Sequence, residues 1–113
     1  MRCYLIEDFY PEHLRKVTAA LSEMGYSGSL DGIFYLPVPR ELLTDVQREH
    51  AGECGQHIFV LEAAEDQGAL KLELLVRARN KLRCECVMYA TAAQREYIIT
   101  FLDDFIRHLD ISV

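Results

Sequence analysis

Cations are scarce in this 113-residue chain. Twelve lysines and arginines stand against eighteen aspartates and glutamates, for a net charge of −6 and a pI near 5.1. Neutralising phosphates takes a basic face, so nucleic acid is excluded as the bulk partner. Long hydrophobic runs are missing as well. No apolar stretch approaches the ~18 residues of a membrane helix, and the opening MRCYLIED meets acid at Glu7, too early for a signal-peptide core. The expectation is a soluble, cytoplasmic protein with no membrane partner. Cysteine is sparse: Cys3, Cys54, Cys84 and Cys86 are too few for a disulfide scaffold and read as free thiols of a reducing compartment. No Gly-rich phosphate loop follows a strand, and neither G-x-S-x-G nor H-E-x-x-H occurs. No catalytic centre is evident, and the reading leans away from an enzyme.

What is present is ordinary globular material. Half the residues are apolar and 27% are charged, and this length holds one core, so residues 1–113 read as a single domain. Residues 2–6 form a short apolar strand. Pro11 suits a first helical position and Gly25 a C-terminal cap. Between them Leu14, Val17, Leu21 and Met24 recur at helical spacing, which predicts an amphipathic helix over 11–24. Ile33 to Leu36 follow as a second strand, and Pro37 and Pro39 mark it as an edge or a terminus.

Two heptapeptides echo each other: TDVQREH at 44–50 and TAAQREY at 91–97. A duplicated binding motif is one reading. The flanks do not match, however, and T-x-x-Q is a capping box in which threonine accepts from the third helical N–H while glutamine reaches back. Both stretches are therefore read as helix starts. The first helix should be short, stopped by Gly52 and Gly55. The second carries Ile98, Phe101, Leu102, Phe105 and Leu109 on one face, widened by Tyr97, Ile99 and Ile106. Its apolar arc of about 200° exceeds what one sheet requires, so cover on two sides is expected.

The middle of the chain reads as a β-meander. In residues 70–79, Leu70, Leu72, Leu74, Val76 and Ala78 alternate with a more polar set, and in 82–89 Leu82, Cys84, Cys86 and Met88 do the same. Parity then fixes a register. A loop at 79–81 pairs Ala78 with Leu82, Val76 with Cys84 and Leu74 with Cys86. The preceding strand, 57–64, pairs Leu61 with Leu72 and Phe59 with Leu74. The predicted fold is an α+β two-layer sandwich: a mostly antiparallel sheet of about five strands, two main helices on one face, in the order β-α-β-(short α)-β-β-β-α.

The candidate chemistry lies in REHAGECGQHI, residues 48–58, where His50, Cys54 and His57 fall within eight positions. With a fourth ligand they would make half of a zinc site; alone they could form a smaller metal or small-ligand site in a loop that Gly52 and Gly55 let fold back. The predicted register argues against Cys84 as the fourth ligand, because it leaves His57 and Cys84 two strands apart, about 9.6 Å. Cys84 and Cys86, alternating with leucine and methionine, then read as buried free thiols. His13 and His108 read as boundary histidines. No resident cofactor is called for beyond the zinc this trio would take.

Two surface features remain. Arg77, Arg79, Lys81 and Arg83 converge on one hairpin tip, either as charge guarding an edge strand or as a dock for an anion or an acidic protein partner. Ile58, Val60, Leu75, Val87 and Tyr89 make an apolar patch on the sheet face opposite the helices. Such a patch predicts a homodimer, unless the short helix around 39–50 covers it. The leading expectation is thus a small binding or assembly module, and the alternative is a protein that binds metal or a small ligand through the 50–57 loop.

Overall fold

The alternation of apolar residues along the central strand pair organises the molecule. The computed structural model describes residues 1–113. In chain order they form β1 (Cys3–Ile6), α1 (Pro11–Glu23), β2 (Ile33–Pro37), α2 (Asp45–Cys54), β3 (His57–Ala64), β4 (Ala69–Glu73), β5 (Leu75–Ala78), β6 (Met88–Tyr89) and α3 (Ala92–His108), with 3₁₀ turns at Arg40–Leu42 and Glu65–Gln67. Every strand pairing is antiparallel. The α+β class is as expected, with six strands where about five were predicted.

β3 is the centre of the sheet. Its one edge takes β2, and its other takes β4 and then β5, which are flanked in turn by β1 and β6. Among the strands β2 pairs only with β3, and its other edge meets residues 26–28 through a Ser27–Phe34 bridge. Pro37 is its last residue, where a missing N–H costs no ladder bond. Leu61 pairs with Leu72 as parity predicts. Leu36, Phe59, Leu61, Leu70, Leu72 and Val76 share one core with Leu14, Val17 and Leu21 of α1 and Ile98, Leu102 and Ile106 of α3. Both main helices therefore pack into the same core as the strands.

α1 starts with Pro11 at its first position and ends in a Schellman turn. Tyr26 N–H bonds Leu21 O at 3.1 Å and Gly25 N–H bonds Ser22 O at 3.0 Å, with Gly25 at φ 84°. Met24, assigned to the apolar stripe by its spacing, is exposed. Both T-x-x-Q motifs are complete capping boxes. α2 runs through Gly52 and stops only before Gly55, because one glycine in a helix costs merely about 1 kcal/mol relative to alanine. α3 buries Ile98, Leu102 and Ile106. The second side of its apolar arc is half covered. Tyr97, Phe101 and Phe105 stack at 6.1 Å spacings, with Tyr26 edge-on to Phe101.

The expected register fails at two places. At Leu74 the long strand breaks. Between the pairs Leu61–Leu72 and Ile58–Arg77, β3 has two residues and its partner four. The surplus is taken up at Leu74, which still packs against the core and whose N–H bonds Arg2 O while its carbonyl accepts from Ala90 N–H. Phe59 therefore does not pair with Leu74. At the hairpin, Val76 pairs with Met88 and Leu75 with Tyr89, four residues later than predicted, and residues 79–87 form a loop. The cause is competition from α2. Arg79 N–H bonds Gln56 O and Asn80 N–H bonds Cys54 O, so the chain turns at Arg79-Asn80 while tied to the end of the helix, and beyond a single Ala78–Lys81 bridge the ladder does not continue.

Candidate metal centre

The end of α2 and the 79–87 loop bring four ligand-type side chains together. His50 and Cys54 stand one helical turn apart, four residues along, so both project from the same face. The loop delivers Cys84 and Cys86 to that face. A turn closed by Val87 N–H on Cys84 O, at 3.0 Å, removes the extended geometry that the alternation implied. Two further ties hold the loop in place. Gln47 Nε2 donates to Cys86 O at 3.3 Å, and Lys81 Nζ meets Glu53 Oε1 at 2.6 Å. Gly55, at φ 79°, lets Asn80 approach so closely that a Cβ there would stand 2.7 Å from Asn80 Nδ2.

The ligand atoms of His50, Cys54, Cys84 and Cys86 all lie within 4.8 Å of one another. His50 Nδ1 is 3.0 Å from Cys84 Sγ and 3.9 Å from Cys54 Sγ, and the Cys54 and Cys84 sulfurs are 3.7 Å apart. A tetrahedral zinc ion, bound at about 2.3 Å by sulfur and 2.0–2.1 Å by nitrogen, spaces its ligand atoms roughly 3.5–3.8 Å apart. The separations in the cluster, from 3.0 Å to at most 4.8 Å, bracket those dimensions. Cys54 and Cys86 are fully buried, while His50 and Cys84 are half-buried. All four cysteines are free thiols.

The electrostatics sort the thiols. The backbone N–H of Cys86, joined by hydrogen bonds from the Cys86, His50 and Cys54 side chains, brings the Cys84 thiol down to about 7 despite burial. Burial pushes Cys86 up to about 12 and raises Cys54 as well. The hydrogen bond to Cys84 raises the His50 imidazole, with the charges of Glu85 and Glu49 adding to it. One thiolate is thus accessible near neutrality. The two buried thiols keep their protons until a cation displaces them.

This ligand set corrects the trio His50, Cys54 and His57. His57 sits on β3 opposite Ala78, is 2% exposed, and has no protein partner for either ring nitrogen. It lines a separate cavity with Val38, Arg40 and Leu43. Cys84 and Cys86 take its place. The Val76–Cys84 pairing that argues against Cys84 does not form, and the argument against a four-ligand site falls with that pairing. Cys86 is buried as expected; Cys84 is not. The signal that was available is the spacing of His50 and Cys54, which reads as one helix face once Gly52 is allowed inside the helix.

The two surface features also change. Arg77 pairs with Glu73 at 2.8 Å, Lys81 with Glu53, and Arg79 lies over the Tyr35 ring at 5.1 Å. Of the four cations only Arg83 is left without such a partner. The apolar patch is broken up. Ile58 is 3% exposed, beside a cavity that Tyr35, Val60, Arg77 and Leu82 also line. Val87 packs with Cys54, Ala78 and Cys86 instead. Val60 and Leu75 are half-buried, and Tyr89 is exposed beneath the Arg2 guanidinium. Val46 of α2 packs against that same small cluster of Cys54, Ala78 and Cys86.

No helix is long and apolar enough to cross a membrane. Comparison with protein-family models, curated proteins and solved structures finds no match.

Proposed function

We propose that this chain is a zinc-binding protein in which His50, Cys54, Cys84 and Cys86 hold one ion in a closed structural site. A single observation carries the reading: three sulfurs and one imidazole nitrogen from two separate elements converge within 4.8 Å. Three thiolates and one imidazole suit zinc above other divalent ions, because soft sulfur ligands in tetrahedral array favour it. Four protein ligands leave no open position for substrate, which marks the role as structural. The ion would pin residues 79–87 to α2 across the end of the sheet.

Protein purified without a metal-affinity tag, under reducing conditions, should carry one zinc per chain by elemental mass spectrometry. X-ray absorption should report a shell of three sulfurs and one nitrogen. A chain that stays below a tenth of an equivalent, even after refolding with zinc, overturns the reading.

A further inference from the structure

His50 meets two partners at once. Its Nδ1 faces the cysteines, 3.0 Å from Cys84 Sγ, while its Nε2 lies 3.3 Å from Glu85 Oε1. A neutral imidazole has one proton, and the nitrogen that carries it decides which lone pair is free for a metal. We propose that Glu85 is the positioning residue of this centre: its carboxylate, in ion-pair contact with Nε2, draws the imidazole proton to Nε2 and thereby presents the Nδ1 lone pair to the ion. The inference rests on the zinc reading above.

Three features of the molecule argue for it. In an extended strand Glu85 would point away from Cys84 and Cys86. The turn closed by Val87 N–H on Cys84 O brings all three side chains toward α2, so one short segment supplies two thiols and the carboxylate. Among the nearby acids, Glu53 is already engaged by Lys81 at 2.6 Å, and no ion pair joins Glu49 to His50, which leaves Glu85 as the direct partner. Finally, the Glu85 side chain is 75% exposed. An exposed ion pair contributes little to folding by itself, so a carboxylate at this place acts through what the imidazole does. Histidine ligands of metals regularly carry such a partner on their other nitrogen, and losing it weakens metal binding about 10- to 100-fold.

The test is a double-mutant cycle. Zinc affinity is measured by chelator competition for the wild type and for Glu85→Ala, and for both again in a His50→Cys background, where no imidazole remains to orient. Glu85→Ala should weaken zinc about 10- to 100-fold in the first background and leave it unchanged in the second. Glu85→Gln should recover part of the loss, since its carbonyl oxygen accepts the same N–H. Equal losses in both backgrounds would reveal a general charge or folding effect and overturn the proposal; so would no loss in either. A wild type that binds no zinc removes the reading underneath, a result distinct from both. If the His50→Cys chain fails to fold, the visible spectrum of the Co²⁺-loaded protein decides. Ligand-field bands that change in Glu85→Ala and return in Glu85→Gln support the role, and identical spectra in all three overturn it.

Discussion

The two ends of the sheet are held by different physics. At the wide end, which takes in β2, β3, β4 and Val76 of β5, seventeen buried residues from strands, both long helices and adjoining loops make one core. At the β5 end the buried cluster has three members, Cys54, Ala78 and Cys86, and two of them are thiols. Burying a large apolar side chain is worth about 1.5–3 kcal/mol, which the first end collects many times over. The second end has little to collect, yet it must fix the nine positions from 79 to 87. A core grows by adding apolar area. A loop without that area needs a few strong bonds, and the four ligand atoms at the end of α2 are placed to make them.

That contrast is broken most severely by cutting into the large core. Leu72 and Leu102 are fully buried in the layer between sheet and helices. Replacing either by alanine should cost about 2–5 kcal/mol, measured by urea denaturation. The loss should be the same in metal-loaded and metal-free protein, because neither residue touches the loop. A loss that depends on zinc would join the two ends into one unit.

Removing the ion acts on the other end alone. With free zinc at 100 times its dissociation constant, binding to the folded state contributes about 2.7 kcal/mol, and chelation under reducing conditions should withdraw it. Amide exchange should then rise across residues 79–87, and Cys54 and Cys86 should begin to react with thiol reagents. The slow-exchanging amides of β3, β4 and α3 should stay protected. Global unfolding on chelation would mean that the large core does not stand alone.

One device bridges the two ends. Gln94, from the capping box of α3, donates through Nε2 to Leu42 O and to Gln47 Oε1, both at 2.9 Å. Gln47, from the capping box of α2, donates through Nε2 to Cys86 O. Both glutamines are fully buried, and a helix cap is thereby linked to the loop of the candidate metal centre. Gln47→Ala should cost about 1–3 kcal/mol by leaving buried partners unpaired. It should also speed amide exchange at Val87 and Cys86. A substitution that destabilises α2 without touching the loop would show the bridge to be incidental.

These features were unequally legible in the sequence. Helical period and strand alternation are local, so α1, α3, β3 and the Leu61–Leu72 pair could be read directly. The T-x-x-Q echo was readable as two caps, but the meeting of the two glutamines is a tertiary fact with no spacing to announce it. Parity failed for a specific reason: it cannot detect an even shift. The surplus at Leu74 is two residues and the hairpin is displaced by four, so both leave every inward residue of the strands inward. Leu82, Cys84 and Cys86 keep the alternation without being a strand, and Leu82 is 87% exposed. A loop tied to a helix end has no need of alternation, and that hid the candidate metal centre behind an apparent strand.

The smallest expected effect concerns His57, which lies between the two regimes. It is buried beside the cluster, and both ring nitrogens lack protein partners. Burial, reinforced by the charge of His50, depresses its pKa below the ordinary value of 6.5. The sign follows from proton counting. Below pH 6.5 the unfolded chain takes up a proton on this ring that the folded chain refuses, so stability falls as pH drops toward the lowered value. Above pH 6.5 both states hold the ring neutral and the contribution is level. Replacing His57 by leucine removes the ring and its unpaired nitrogens, and an apolar group of similar shape should be neutral or stabilising by up to about 1 kcal/mol at pH 7.5. The advantage should widen on going to pH 5.5, and the comparison is made in metal-free protein so that proton competition at the thiols does not enter. If the gap between the two chains is the same at both pH values, His57 is not held neutral by burial, and its ring must be reaching water or a partner.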